Sequence, residues 1–350
     1  MQLGREWLYF AVALLSFGFC YLLIPLCSFI SRLTGLIDHP GGDSHKSHER
    51  STPLLGGVAI YGSVWLTLLF LVYMGELHWS PALNGIFIGS TLVFLMGLAD
   101  DIFGLLPATK FFVQLGAAVV VVLHGVTVSL FMGTNIITVA ITILWIVGLT
   151  NSLNLLDNMD GLTGGVVAIS ALVFSIITFR QGDWQTLYIS VVLLGSMVAF
   201  LRFNFEPAEI FMGDAGSCFL GFFLASLAVS ANYLVEARLQ HLPVITPLLI
   251  FAVPLYDTFS VMAIRILKGY PIWQADNRHF SHRLVSLGLT RRSAVLLIYL
   301  ITFTTGILAV LLPRVNRADA LLLLIHAGAI FAIILLLEYT SAARRSEPDS

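Results

Sequence analysis

Residues 82–99 read ALNGIFIGSTLVFLMGLA, with no charge, and Asp100, Asp101, Gly104 and Lys110 then follow within a few positions. Eighteen uncharged, mostly apolar residues make a candidate membrane-spanning helix, since a span needs roughly 20. The same pattern recurs along the chain. It predicts about eleven spans, near 7–30, 54–74, 82–99, 108–124, 136–153, 162–179, 185–201, 216–234, 243–266, 293–312 and 319–338. A bilayer offers no water to backbone groups, so helices are the expected form. The runs are too long and too evenly apolar for barrel strands. Only Gly125–Asn135 has a strand-like, turn-rich look, read as a short hairpin.

Composition agrees. The chain is 58% hydrophobic and 11% charged, whereas a soluble domain is about 25% charged. That leaves too little polar material for a water-facing shell. The net charge of -2 gives no global attraction to nucleic acid. Cys20, Cys27 and Cys218 lie in apolar runs without metal-ligand spacing and read as small buried hydrophobes. The first apolar stretch lacks a cleavage site and reads as a retained span. With no repeat and no linker, residues 1–350 are expected to form one all-α polytopic membrane domain.

Lys and Arg set the expected orientation. Thirteen of the 18 fall on the side of the first loop, which holds Arg32, Lys46 and Arg50, and five on the other. The N-terminus is therefore expected outside and the C-terminus in the cytoplasm.

Carboxylates beside apolar sequence are costly unless paired or metal-bound. Adjacent Asp100 and Asp101 repel each other and lose hydration, which a divalent cation would relieve. Lys110 can reach a phosphate or neutralise the pair; the alternative is a helix-stop cluster with a snorkelling lysine. In 151–165, NSLNLLDNMDGLTGG, Asn151, Asn154, Asp157 and Asp160 recur every three residues. They suit a nucleoside or a hydrated metal, and capping alone would explain one or two of them. In 203–217, FNFEPAEIFMGDAGS, Asp214 stands between Gly213 and Gly216, and Phe211 can stack on a base. The glycines let backbone N–H groups approach an anion, unless Asp214 is merely an Asx-type cap. In 266–292, Arg278, His279, His282 and Arg283 make a cationic patch suited to phosphate. No carboxylate or Cys completes a zinc motif with the two histidines. Asp257, inside a span, is either functional or a helix-packing hydrogen bond.

The segments TPLLGG (52–57), DDIFG followed by Lys110, NSLNLLDNMDGL (151–162), FMGDAGS (211–217) and DNRHFSHRL (276–284) stand in an order that resembles the polyprenyl-phosphate N-acetylhexosamine-1-phosphate transferases. The resemblance runs from about Asp38 to about Leu284. It implies transfer of HexNAc 1-phosphate from a UDP-sugar to polyprenyl (undecaprenyl) phosphate in the bacterial inner membrane, with release of UMP. It implies Mg2+ as cofactor, with Mn2+ as the alternative. Asp214 matches the metal-binding aspartate, and Asp157 is assigned both to that metal and to catalysis. Asp100 and Asp101 match the paired catalytic aspartates, and Asn154, Asp157 and Asp160 the nucleotide-side motif. His279 and His282 match the histidine loop that contacts the donor, while Lys46 and His48 resemble a K-x-H element. Lys46, Lys110, Asn151, Asn154, Asp160, Phe211, Arg278 and Arg283 are the expected substrate contacts.

Many relatives read H-x-H-H where this chain has Ser281 between His279 and His282. STPLLGGVA at 51–59 departs from the G-T-P-T-M-G-G stretch typical of the UDP-MurNAc-pentapeptide branch, so UDP-GlcNAc is the expected donor and an O-antigen, teichoic-acid or other envelope glycan the expected product. The competing readings are a phospho-N-acetylmuramoyl-pentapeptide transferase and a secondary transporter. A homodimer is left open.

Overall fold

The computed structural model describes residues 3–38, 51–128, 134–231, 245–271 and 278–346. The chain folds into two compact units, Met1–Asn232 and Tyr233–Ser350. The first holds α1 (Leu3–Thr34), α2 (Gly56–Tyr73), α3 (Pro81–Phe103), α4 (Pro107–Leu123), α5 (Ile136–Leu156), α6 (Leu162–Gln181), α7 (Trp184–Asn204) and α8 (Gly213–Ser230). The second holds α9 (Thr246–Ile250), α10 (Ala252–Leu267), α11 (Phe280–Ser286), α12 (Arg291–Leu311) and α13 (Arg317–Ser346).

Among the described residues, nine helices are long and apolar enough to cross a membrane. The protein is therefore an all-helical integral membrane protein. Two of the expected spans are not among these nine. The 108–124 stretch is the 17-residue α4. The 243–266 stretch is broken at Phe251 into α9 and α10. Pro254 explains the break: it has no N–H to donate to the carbonyl of Ile250, four residues back, so the helix restarts.

In the first unit α8 is the central element. Its residues from Ala215 to Ala228 are all buried, as expected for a helix apolar all round. It packs on α2, α3 and α5, while α1 and α6 lie against α7. Large apolar side chains such as Leu22, Leu33, Leu66, Leu95 and Leu144 are exposed on outer faces. In water such a surface would be an aggregation hazard; against lipid it needs no cover.

The one described sheet is a two-stranded pair, Ile37–Asp38 with Thr52–Pro53, in antiparallel register. Residues 125–128 and 134–135 carry no strand; Asn135 instead caps α5 with Thr138 in a capping box, and 129–133 lie outside the described residues. After Pro53 the chain runs beside the start of α8. Pro53 accepts from the Phe211 N–H (2.8 Å), the Gly56 N–H donates to the Phe211 carbonyl (2.9 Å), and the Gly57 N–H donates to Met212 (2.9 Å). A Cβ at Gly57 would lie 2.3 Å from the Gly216 backbone nitrogen. The TPLLGG segment thus forms the bed on which the residues before α8 rest.

In the second unit α12 packs on α9, α10, α11 and α13. Thr290 caps it by accepting from the Ser293 N–H at 3.1 Å.

Gly57→Ala forces backbone against backbone, and overpacking of this kind costs roughly 1–3 kcal/mol. Its melting temperature in detergent should fall by several degrees (about). Gly148→Ala meets nothing within 4 Å and should stay close to wild type. Equal melting temperatures for the two variants would remove the close-packing account.

Candidate active site

The sequence candidates of the first unit meet where four helix ends come together. Asp100 and Asp101 occupy the last turn of α3, Lys110 the first turn of α4, Asp157 the C-terminal cap of α5, and Asp214 the first turn of α8. The helices begin and end there for local reasons. Gly104, at φ 65°, stops α3 in the left-handed region. Pro107 starts α4 at a position where a missing N–H costs nothing.

Lys110 is the hub. Its Nζ donates to Asp100 Oδ2 and to Asp214 Oδ2, each at 2.6 Å. Asp100 Oδ1 accepts from the Leu105 N–H at 2.6 Å. Asn154 donates through Nδ2 to Asp214 Oδ1 at 3.0 Å and to the Ser217 hydroxyl at 2.9 Å. One carboxylate on α8 is therefore gripped from α4 and from α5.

Asp101 has a different position from its neighbour. Its two oxygens accept from the backbone N–H groups of Asp214 (2.8 Å) and Ala215 (3.0 Å). These N–H groups, expected to be open to a ligand anion, meet a carboxylate of the protein itself. Asp101 caps α8 from another helix, whereas Asp214 makes no cap of its own. Gly213 allows the approach: it sits at φ 66°, and a Cβ there would lie 2.5 Å from Asp101 Oδ2.

The 151–160 motif splits at the end of α5. Asn151 donates to Gln114 Oε1 (2.6 Å) and to the Val147 carbonyl (2.8 Å), binding α5 to α4. Asp157 lies near Asp214 and Asp101; burial first, then the negative charge of Asp214, push its carboxyl up to about 7. Asp160 Oδ2 accepts from the Ala208 N–H at 2.9 Å, tying this turn to the segment before α8. Phe211 is held by its backbone, as described above, and its ring is half-buried. Lys46 lies outside the described residues.

The histidine segment belongs to the second unit. His279 precedes α11 and is buried; its Nδ1 lies 2.8 Å from Asp257 Oδ2. His282 is half-buried on α11, and Ser281 is buried. Arg283 is committed to protein partners: Nε donates to Glu338 Oε1 (3.0 Å), one terminal nitrogen to the Arg278 carbonyl (2.5 Å) and the other to the Ser260 hydroxyl (2.8 Å). These bonds tie the segment to α10 and α13. The Arg278 guanidinium stacks over Tyr270, 4.4 Å from the ring centroid.

Three polar residues escaped the sequence reading. Gln114 partners Asn151, and its i, i+4 spacing from Lys110 was the available signal. Asn204 accepts from the Gly161 N–H (3.0 Å) and donates to the Ile210 carbonyl (2.8 Å), closing the floor of the cluster. Glu338 closes the apolar stretch of α13 and accepts from Arg283.

The family model of glycosyl transferase family 4 matches residues 83–232, the stretch that carries Asp100, Lys110, Asp157 and Asp214. A probable undecaprenyl-phosphate N-acetylglucosaminyl 1-phosphate transferase of Bacillus subtilis (strain 168) is 32% identical over 311 residues, covering 87% of this chain and 84% of the relative. The chain belongs to glycosyl transferase family 4. Among its relatives in this family, a decaprenyl-phosphate N-acetylglucosaminephosphotransferase of Mycobacterium tuberculosis (strain ATCC 25618 / H37Rv) is 30% identical over 346 residues, 89% of this chain and 85% of the relative. A phospho-N-acetylmuramoyl-pentapeptide-transferase of Streptococcus equi subsp. zooepidemicus (strain H70) is 31% identical over a shorter stretch of 206 residues, 53% of this chain and 62% of the relative.

Asp101→Asn leaves only one acceptor oxygen for two backbone N–H groups. A buried donor left unsatisfied costs about 1–3 kcal/mol. Thermal unfolding of this variant without substrate should shift down accordingly; an unchanged midpoint would show that Asp101 does not hold the start of α8.

Proposed function

We propose that this family 4 transferase moves GlcNAc 1-phosphate from UDP-GlcNAc to undecaprenyl phosphate, releasing UMP, as a first membrane step of envelope glycan synthesis. The supporting observation is the grip of the Lys110 ammonium on Asp100 and Asp214 at helix ends, with Asp157 close to Asp214. A water-soluble donor and a bilayer-bound acceptor meet most readily at such a boundary. The excess of Lys and Arg on one side supports a cytoplasmic active face, with the N-terminus outside and the C-terminus inside.

Among the described residues no three His, Cys, Asp or Glu side chains form a ready metal cage. Mg2+ does not require one, since it usually binds through one or two carboxylates, waters and substrate phosphates. The oxygen donors Asp157 and Asp214 fit it, standing close to one another at the end of α5 and the start of α8. Bound to these two, Mg2+ or Mn2+ would neutralise charge on the donor's pyrophosphate.

The remaining chemistry is positioning and charge stabilisation. An oxygen of the lipid phosphate attacks the β-phosphorus of the donor, and the bond from that phosphorus to the bridging oxygen breaks, with the electron pair leaving on UMP. The acceptor's second pKa is about 6, so it arrives mostly dianionic and a strong base is unnecessary. Asp100 and Lys110 hold Asp214 in place, Asp101 fixes its helix, and Asn154 and Asp160 order the nucleotide side. Phe211 supplies a face for the base, and His279 and His282 serve the donor.

The test is UMP release by purified protein with undecaprenyl phosphate, Mg2+ and a panel of UDP-HexNAc donors. UDP-GlcNAc should be the preferred donor, and Asp214→Asn should lose on the order of 100-fold or more in kcat. Preference for UDP-MurNAc-pentapeptide would favour the second transferase branch. UMP formed without lipid would replace direct displacement by a phosphoryl-aspartate route.

A further inference from the structure

Asp257 is the one acidic residue of α10 and is fully buried. A carboxylate in such a place is retained only with partners that meet it. It has two, both at the start of α11. Asp257 Oδ2 lies 2.8 Å from His279 Nδ1, and Asp257 Oδ1 accepts from the Phe280 backbone N–H at 2.5 Å. One carboxylate thus grips the ring of His279 and the peptide next to it. Ring and backbone are fixed together, which leaves the imidazole little freedom to turn.

The carboxylate also decides which ring nitrogen carries the proton. An ionised Asp257 is acceptor-only, so Nδ1 must carry a hydrogen. In a neutral ring Nε2 is then the unprotonated nitrogen, and in an imidazolium it is a second donor. Among the described residues Nε2 meets no hydrogen-bond partner, and only 8% of the side chain remains exposed. The segment is braced from its other side by Arg283, whose guanidinium binds the Arg278 carbonyl, Ser260 and Glu338. Arg278 and His279 are therefore held by separate anchors on either side of one peptide.

From this geometry we propose that Asp257 is a positioning residue for the transfer reaction, acting through His279. It holds the imidazole with Nδ1–H turned towards the carboxylate and Nε2 as the nitrogen left for substrate. The inference rests on the proposed function for its substrate, but the dyad itself can be examined without turnover. It also assigns a task to a carboxylate that, unpaired, would have been the main residue in favour of transport.

The first measurement is the nitrogen chemical shifts of histidine in full-length protein carrying 15N-histidine, in lipid nanodiscs. His279 is identified by the signal lost in His279→Gln. Its Nδ1 should be protonated; a neutral ring with the proton on Nε2 would overturn the proposal whatever the activity. The second is a double-mutant cycle on UMP release. His279→Gln should reduce kcat/KM by about 100-fold, the usual scale for a positioned acid–base group, and Asp257→Asn by at least about tenfold. The double variant should be no slower than His279→Gln alone, because Asp257 has nothing left to act on. A purely structural Asp257 gives losses that multiply, and Asp257→Asn within twofold of wild type would refute any positioning role. Should Asp257→Asn fail to fold, the wild-type shifts still decide. If wild type releases no UMP while the Nδ1 proton is present, the proposed function fails and the dyad stands.

Discussion

One ammonium between two carboxylates organises the first unit. Lys110 reaches Asp100 and Asp214 at the same 2.6 Å, and so joins α3, α4 and α8 at their ends. Buried ion pairs are poor sources of stability, because desolvation offsets most of the attraction. Apolar side chains would join these helices at lower cost. The cluster is better understood as a charge arrangement kept for use. Asp214 is held by groups from α4 and α5 while its own helix is fixed by Asp101, so its position depends on three neighbours at once.

The charged residues of the Lys110 cluster sit at helix ends rather than in the middle of spans, where a transporter's broken helices and ion sites are found. Asp257 breaks that pattern within the second unit, and its pairing with His279 accounts for it. Asp100, Asp101, Asp214 and Asp257 each accept from a protein donor or a paired ring. Arg283 shows the same economy: it was expected to meet substrate, yet all of its placed bonds are to Glu338, Ser260 and the Arg278 carbonyl.

Much of this was legible in the chain. Apolar runs located the helices because a bilayer demands length and hydrophobicity together. The Asp and Asn residues stood out because charge beside such runs is expensive. What composition could not show was where each helix turns its end. Asp100 and Asp101 are adjacent and chemically identical, yet one faces Lys110 and the other caps α8. That difference depends on Gly213 admitting Asp101, a tertiary contact more than a hundred residues away in sequence. The expected hairpin near Asn135 gave way to a capping box, since the same Asn and Thr residues serve turns and helix starts alike. Gln114 offered only its spacing from Lys110, and Asn204, a single amide, offered no pattern at all.

The central proposal is that Asp214 and Asp157 hold a divalent ion together with the donor's phosphates. Mn2+ titration followed by electron paramagnetic resonance, on purified protein in nanodiscs with UDP-GlcNAc present, tests it most directly. Wild type should immobilise Mn2+, and the signal of bound ion should disappear in Asp214→Asn and weaken in Asp157→Asn. Equal Mn2+ binding by all three proteins would contradict the account.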